Sequence, residues 1–153
     1  MRVSVIGGST VTDEEYDRAR ELGRLLADRG HEVVCGGRGG VMEAVCRGAR
    51  ERGGHTIGIL PGPRREAANE YVETAIATGI GNARNPLVVL NGAAVVAVDG
   101  GSGTLSELGH ALDYGRPVAG LGTHSVDGVD GIEHLDTPAE AVAYVENTVE
   151  GNL

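Results

Sequence analysis

The sequence predicts an α/β fold in which a mostly parallel sheet of about six or seven strands is covered by helices on both faces. Short apolar segments alternate along the chain with longer segments whose apolar residues recur every three or four positions. The short segments are nearly continuous in apolar residues, which favours strands buried on both sides. Three of them run into glycine-rich loops. These features are typical of a single-domain, doubly wound, Rossmann-like sandwich.

Three strands and two helices are predicted in the first half of the chain. The strands span residues 3–6, 32–35 and 56–60. Thr12 and Glu15 have the spacing of a capping box, which predicts a helix from there to Gly30. The second helix should follow residue 40 and end at Gly53.

The second half continues the alternation. Residues 64–70 predict a loop or a short helix, residues 71–77 a strand, and residues 79–85 a loop or the start of a helix. Pro86 suits a first helical turn. Strands are predicted over residues 93–98 and 117–121, with a helix from Leu105 to Gly115 between them. Residues 122–136 are rich in Gly and Asp and predict a loop, after which Thr137 and Glu140 begin the last helix.

Length and charge limit the functions open to this chain. Its 153 residues and 15.7 kDa fit one domain spanning residues 1–153. The 22 acidic residues outnumber 13 cations, all Arg, and the net charge of −9 argues against DNA, RNA or an anionic membrane as partner. Without Lys the chain can form neither a pyridoxal-phosphate Schiff base nor a P-loop. No signal peptide is visible and the longest apolar stretch, residues 87–98, is too short to span a bilayer, so a cytoplasmic protein is expected.

Cysteine and histidine spacing predicts no metal site. Cys35 and Cys46 fit neither a zinc pair nor a disulfide framework, and we expect them to be small buried core residues. The five His residues lack metal-ligand spacing. The acidic residues between 127 and 136 are expected to form a solvated loop.

The three glycine-rich loops lie at residues 7–10, 36–40 and 100–104. The carboxyl ends of parallel strands line the ligand crevice of such folds, and a helix that follows a glycine-rich loop offers free N–H groups to an anion. Thr104 adds a hydroxyl donor. Together the loops predict a phosphate cradle, although glycines there would also suit plain tight turns. A dinucleotide site is disfavoured, because the G-x-G-x-x-G spacing is missing after the first strand and the second strand ends in Cys35 rather than in an acidic residue.

The motifs in these loops resemble those of a known group. GGRGGVM at 36–42, GGHTIGILPG at 53–62 and GGSGTLSE at 100–107, together with Arg84, are similar to the LOG-like (SLOG) superfamily. That superfamily includes cytokinin-type nucleotide phosphoribohydrolases and molybdenum-cofactor carrier proteins. The resemblance extends from residue 1 to about residue 122, and Asn69, Thr78-Gly79 and residues 82–85 look closest to the small carrier-like branch.

The resemblance implies a phosphorylated, nucleotide-like ligand and a homodimer. In the hydrolase branch it implies that Glu107 and Arg84 act at the glycosidic bond. The residues that it implies for the 5′-phosphate are Gly100, Gly101, Gly103 and Thr104. The candidate ligand-binding residues from all the loops are Gly8, Ser9, Gly37, Arg38, Gly39, Gly40, Pro61, Gly100, Gly101, Ser102, Gly103 and Thr104.

Three functions therefore stay open. The chain is expected to bind a phosphorylated ligand, with turnover unassigned. As an enzyme it would hydrolyse a nucleoside 5′-monophosphate to base and ribose 5-phosphate and would require no cofactor. As a carrier it would hold the molybdenum cofactor without turnover.

Glu107 itself has two interpretations. Cleavage of a base–sugar bond passes through an oxocarbenium-like state, which a carboxylate stabilises. In the first turn of a helix Glu107 would be ionised, which suits charge stabilisation or water activation better than acid catalysis. Thr104 and Glu107 also have capping-box spacing, which would make the pair structural.

Several residues depart from the hydrolase pattern. Asn85 follows Arg84 where the hydrolases have Lys, and Asp99 precedes the glycine block where they usually have Pro. A carboxylate at position 99 would repel phosphate unless it points away or pairs with an Arg. Pro86 would break a helix that carries Arg84, which could instead form a surface ion pair. Arg38 could equally be a solvated loop residue.

Overall fold

The computed structural model describes residues 1–152, which form seven strands and five α-helices. Leu153, the last residue of the predicted domain 1–153, lies outside the described residues. The strands are β1 (Arg2–Gly7), β2 (Glu32–Cys35), β3 (Thr56–Leu60), β4 (Thr74–Ala77), β5 (Ala94–Val98), β6 (Val118–Leu121) and β7 (Ile132–His134). The helices are α1 (Asp13–Asp28), α2 (Val41–Glu51), α3 (Asn85–Leu90), α4 (Ser102–Asp113) and α5 (Pro138–Gly151). Short 3-10 turns occupy Arg65–Ala67 and Gly81–Arg84.

All seven described strands belong to one sheet in the order β4-β3-β2-β1-β5-β6-β7, and every neighbouring pair is parallel. The predicted Rossmann-like α/β class is confirmed. The chain moves outward from β1 in one direction through β2 to β4 and then returns to the other side of β1 as β5. That change of direction opens a crevice at the carboxyl ends of β1 and β5, where ligands bind in this class of fold.

Two apolar layers sandwich the sheet, as alternate residues of β5 illustrate. Ala94, Val96 and Val98 pack into the layer formed with α1, α2 and α5. Val95 and Ala97 pack into the layer formed with α3 and α4. Because side chains of a strand point alternately to opposite faces, a strand between two layers must be apolar throughout.

Helix starts follow local signals. The Thr12 hydroxyl accepts a hydrogen bond from the Glu15 N–H at 3.2 Å, and Thr137 accepts one from the Glu140 N–H at the same distance. Both threonines are therefore N-caps, as predicted. In the described residues the Glu15 side chain makes no return bond to Thr12.

The expectation that residues 122–136 are loop throughout is wrong, because they include a strand. Ile132–His134 pairs in parallel with β6 as an edge strand. It has three residues and a single apolar side chain, Ile132, so it carries no strand periodicity.

The two cysteines are confirmed as buried core residues. Cys35 and Cys46 are both fully buried and free, with their Sγ atoms 3.5 Å apart. Among the described helices, none is long and apolar enough to cross a membrane.

Candidate functional site

A cleft of about 300 Å³ lies at the carboxyl ends of β1 and β5. One wall is the end of β1 with Gly8 and Ser9, and the opposite wall is the first turn of α4 from Gly101 to Thr104. Arg84 and Asn85 close it from the side of α3, and Glu107 lines it from the second turn of α4. The crevice that the strand order opens is therefore lined by polar groups.

Helix α4 begins at Ser102, three residues earlier than predicted. Its N-cap is Gly101, which has no side chain to cap the helix, so the predicted capping box of Thr104 and Glu107 does not form. The N–H groups of Ser102, Gly103 and Thr104 have no acceptor among the described residues. Unpaired N–H groups and the positive end of the helix dipole stabilise an anion at such a position.

Gly100 makes this early helix start possible. Its φ is 115°, and a Cβ there would lie 2.3 Å from Thr104 Oγ1. Asp99, with φ 50°, also has a left-handed backbone, so the chain reverses immediately after β5. Thr104 is consequently buried beneath the turn.

The Asp99 carboxylate points away from the cleft. Its Oδ1 lies 4.0 Å from Arg18 Nη1 of α1, and a Cβ on Gly122 would lie 2.7 Å from the same oxygen. Burial raises the pKa of Asp99, and Arg18 partly opposes that rise. The expected repulsion between Asp99 and a phosphate is therefore weakened, because the carboxylate points away from the cleft and lies beside the Arg18 cation.

Residues 121–124, which we call the clasp, hold the turn in place. The Asp99 N–H donates to the Leu121 carbonyl at 3.0 Å, and the Thr123 hydroxyl donates to the Asp99 carbonyl at 2.9 Å. His124 Nε2 lies 2.9 Å from the Gly101 carbonyl and must therefore carry the donated proton. Since that carbonyl and the Ser102 N–H share one peptide plane, the clasp fixes the direction in which the N–H points.

Arg84 is buried, with 7% of its surface exposed, so the alternative of a surface ion pair is wrong. Its Nε donates to the Ile59 carbonyl at 2.8 Å, its Nη2 to the Gly36 carbonyl at 3.3 Å, and its Nη1 to Asn85 Oδ1. A Cβ at position 36 would lie 2.6 Å from Nη2, so any other residue there would displace the guanidinium. Burial lowers the pKa of Arg84 and the field of Glu107 opposes this. Pro86 does not break a helix carrying Arg84, because α3 begins at Asn85, after Arg84, and Pro86 lies in its first turn.

Glu107 is 8% exposed, and burial raises its pKa to about 7 although Arg84 acts to lower it. Among residues 1–152 its carboxylate has no hydrogen-bond donor and no cation within 4.0 Å. The expectation of an ionised first-turn carboxylate is wrong, because Glu107 lies in the second turn, where the dipole effect has faded and desolvation dominates. Near neutral pH both protonation states are populated, so the group can accept or donate a proton.

The remaining candidate residues lie outside the cleft. They are Gly37, Arg38, Gly39, Gly40, Pro61 and Gly100. Gly40 is the N-cap of α2, with φ 63°, and a Cβ there would lie 2.2 Å from the Gly8 carbonyl oxygen. Arg38 is exposed and donates to the Ala67 carbonyl at 3.4 Å.

The structure also adds cleft residues that sequence reasoning missed. They are Gly36, Met42, Asn82 and Asn85, with Val5, Ile6 and Gly7 at the end of β1. Asn85 had no predicted role at the site, although it was noted as a departure from the hydrolase pattern and as part of the carrier-like segment 82–85. Its position directly after Arg84 was a signal that could have marked it.

Comparison with known proteins identifies the family. A family model described as the SLOG cluster4 family matches residues 1–150. The chain belongs to this family. The LOG-like resemblance is therefore confirmed.

Solved structures similar to this SLOG cluster4 chain match it over nearly its whole length. The molybdenum cofactor binding protein of Rippkaea orientalis has a TM-score of 0.90 at 33% identity, over 97% of this chain and 96% of that one. The molybdenum cofactor carrier protein of Chlamydomonas reinhardtii has a TM-score of 0.88 at 34% identity, over 97% of this chain and 98% of that one.

The phosphoribohydrolases match a smaller share of this chain than the cofactor-binding proteins do. The cytokinin riboside 5′-monophosphate phosphoribohydrolase of Mycobacterium tuberculosis is 35% identical over 114 residues, which is 72% of the SLOG cluster4 chain and 59% of the hydrolase. The chain spans about half the length of the curated phosphoribohydrolases it matches.

Proposed function

We propose that this chain binds a phosphorylated, nucleotide-like ligand in the cleft, with the phosphate at the N-terminus of α4. The observation that carries the proposal is the set of unpaired N–H groups of Ser102, Gly103 and Thr104, which open toward a cleft that also holds the buried Arg84. A phosphate supplies the acceptors that these donors lack.

The net charge of −9 does not oppose such a ligand. Screening removes the effect of charges farther than ~10 Å at 0.1 M salt. Among the described residues that line the cleft, Arg84 is the one cation and Glu107 the one carboxylate, and burial keeps that carboxylate partly protonated at neutral pH. The local field therefore favours an anion.

Titration calorimetry with AMP and adenosine tests the proposal. AMP should bind at least about tenfold more tightly, because adenosine lacks the phosphate. Gly103→Val should abolish that preference by filling the space before the helix, since no protein atom lies nearer than 3.9 Å to a Cβ there. Gly109→Val, in the same helix with nothing within 4 Å of a Cβ, is the matched control. Equal affinity for AMP and adenosine would contradict the proposal.

A first refinement is that the chain hydrolyses nucleoside 5′-monophosphates. It is supported by a carboxyl group with a pKa of about 7 and a buried guanidinium in one cleft. In this reaction water adds at C1′, the bond from C1′ to the base nitrogen breaks, and the base leaves with a proton. Glu107 in its ionised form would stabilise the oxocarbenium-like state and take the proton of the attacking water.

Chromatography for free base after incubation with AMP tests the refinement. The wild type should release base, and Glu107→Gln should release at least about a hundredfold less while still binding AMP. If the wild type releases none, or the variant releases it at the same rate, hydrolysis is the wrong assignment.

A second refinement is carriage of the molybdenum cofactor without turnover. It is supported by the near full-length match to proteins that bind this cofactor. The cofactor carries a phosphate monoester and would be cargo held by the same α4 donors. Titration with molybdopterin should then give saturable binding that Gly103→Val weakens, and a lack of affinity would defeat carriage while leaving nucleotide binding in place.

We also propose a homodimer, as the resemblance implies. Light scattering should give twice the 15.7 kDa mass of the chain. A mass of one chain would contradict it.

A further inference from the structure

Asn85 lines the cleft from the first residue of α3 and is 6% exposed. Its amide orientation is determined by its neighbour. Arg84 Nη1 can only donate a hydrogen bond, so the Asn85 atom that faces it must be the acceptor Oδ1. The amide nitrogen, Nδ2, therefore points the other way.

That nitrogen faces the first turn of α4. A Cβ on Gly103 would lie 3.9 Å from Asn85 Nδ2, with no other heavy atom as near. Among residues 1–152, Nδ2 donates to no acceptor. Nδ2 opens to the cleft that Asn85 lines, since the enclosed side-chain N and O atoms without a partner among the described residues are Asp99 Oδ2 and Arg116 Nε. Water or a ligand in the cleft can therefore accept a hydrogen bond from it.

Two sets of unused donors thus border the same space. The N–H groups of the α4 first turn lie on one side, and Asn85 Nδ2 lies on the other. Both sets require an oxygen acceptor, and a tetrahedral phosphate presents several in different directions.

We infer that Asn85 is a ligand-contacting residue that sets specificity, its Nδ2 donating to a phosphate oxygen while its Oδ1 holds the Arg84 guanidinium. The inference rests on the proposed function, because it takes the ligand to be a phosphate ester. It assigns the site to a phosphate monoester. Since Asn85 is neutral, Arg84 is the one cation among the described lining residues, and a di- or triphosphate would bring more negative charge than the cleft compensates.

Three variants test the inference by calorimetry with AMP and ATP. Asn85→Asp has nearly the same shape and keeps an oxygen for Arg84, but it replaces the donor with a charged acceptor. Asn85→Ser keeps a small oxygen and removes Nδ2. Asn91→Asp makes the same chemical change on the exposed residue that follows α3, where the amide donates to the Leu87 carbonyl.

The wild type should bind AMP at least about tenfold more tightly than ATP. Asn85→Ser should lose about tenfold in AMP affinity and Asn85→Asp about a hundredfold, while Asn91→Asp stays within about twofold of the wild type. Thermal unfolding of each variant identifies folded protein, and Asn85→Asp should fold because it can still pair with Arg84.

The outcomes separate the two proposals. If the wild type binds AMP and both position-85 variants bind it equally well, the role of Asn85 is wrong and phosphate binding stands. If ATP binds as tightly as AMP, the assignment to a monoester is wrong. If the wild type binds neither nucleotide nor inorganic phosphate, both proposals fail together.

Discussion

Two glycine-rich loops of this chain, residues 36–40 and 100–104, each follow a buried parallel strand and lead into a helix, and in the sequence they look alike. In the first loop another segment accepts from the first N–H of α2, because the Val41 N–H donates to the Gly8 carbonyl at 2.9 Å. Asn69 adds bonds from its N–H to the Gly37 carbonyl and from its side chain to the Arg38 carbonyl.

The second loop is left open. No described residue accepts from the first three N–H groups of α4, and the clasp bonds instead to the Asp99 N–H and to the Asp99 and Gly101 carbonyls. The two loops therefore differ in whether another segment of the protein accepts from the first N–H of the helix, and not in glycine content.

The largest expected contrast is between the N-cap glycines of the two loops. Gly40→Ala should destabilise the fold by about 3–5 kcal/mol, because its Cβ would lie 2.2 Å from the Gly8 carbonyl oxygen at a φ of 63°. Gly101→Ala should change the free energy of unfolding by less than about 1 kcal/mol, since nothing lies within 4 Å of its Cβ. Urea unfolding of both variants measures the contrast. Equal losses would mean that the α4 loop is as tightly packed as the α2 loop.

A smaller effect should come from the buried carboxyl of α4. The pKa of Glu107 is raised from 4.5 to about 7, so the folded state binds the proton more tightly than the unfolded chain. The free energy of unfolding should then fall as pH rises from 4.5 to about 7, by about 2–3 kcal/mol. Glu107→Gln should therefore be more stable than the wild type at pH 8 by about that amount, with the gap closing toward pH 4.5.

Unfolding curves at several pH values measure this gap. Glu43→Gln, at the start of α2, makes the same chemical change at a less buried position outside the cleft and is the matched control. A gap for Glu107→Gln that does not widen with pH would show that the carboxyl is well solvated.

The next largest effect is expected from loss of the clasp. His124→Ala removes the donor to the Gly101 carbonyl and should weaken AMP binding about fivefold, with a stability loss of about 1 kcal/mol. His124→Gln, whose amide nitrogen can take the place of Nε2, should recover most of the affinity. If the alanine variant binds AMP normally, the direction of the Ser102 N–H does not depend on the clasp.

The smallest effect is expected at Arg38 in the first loop. This side chain is exposed and lies outside the cleft, so Arg38→Ala should bind AMP within about twofold of the wild type. A tenfold loss in calorimetry would mean that the first loop reaches the ligand, which would end the distinction between the two loops.

Local patterns predicted much of the fold. The bounds of β2 and β3 were predicted to the residue, and both threonine caps were located, because these features depend on neighbours in the chain. The start of α4 was predicted three residues too late, because the glycines at 101 and 103 favour a loop. In the structure the chain reverses at Asp99 and Gly100, and the helix begins directly after that turn. β7 was missed because an edge strand of three residues forms by pairing with β6 and has no pattern of its own.

The candidate site was predicted only in part, because some of its features are encoded by local motifs and others arise from tertiary contacts. The motif at 101–104, Glu107 and Arg84 could be named from spacing and resemblance, and the structure brings them to one cleft. The roles of Asn85 and His124 and the outward direction of Asp99 depend on segments that are distant in sequence, since these residues face Gly103, Gly101 and Arg18 respectively.

The amino-acid sequence by itself determined the alternation of strands and helices, the glycines that permit tight turns, and the set of polar groups available to a ligand. Only the tertiary structure decided which of two similar loops leaves the first N–H of its helix unpaired and how far burial shifts Glu107 toward its neutral form. Periodicity and capping depend on nearby residues, whereas desolvation and hydrogen-bond saturation depend on what the rest of the chain packs around a group.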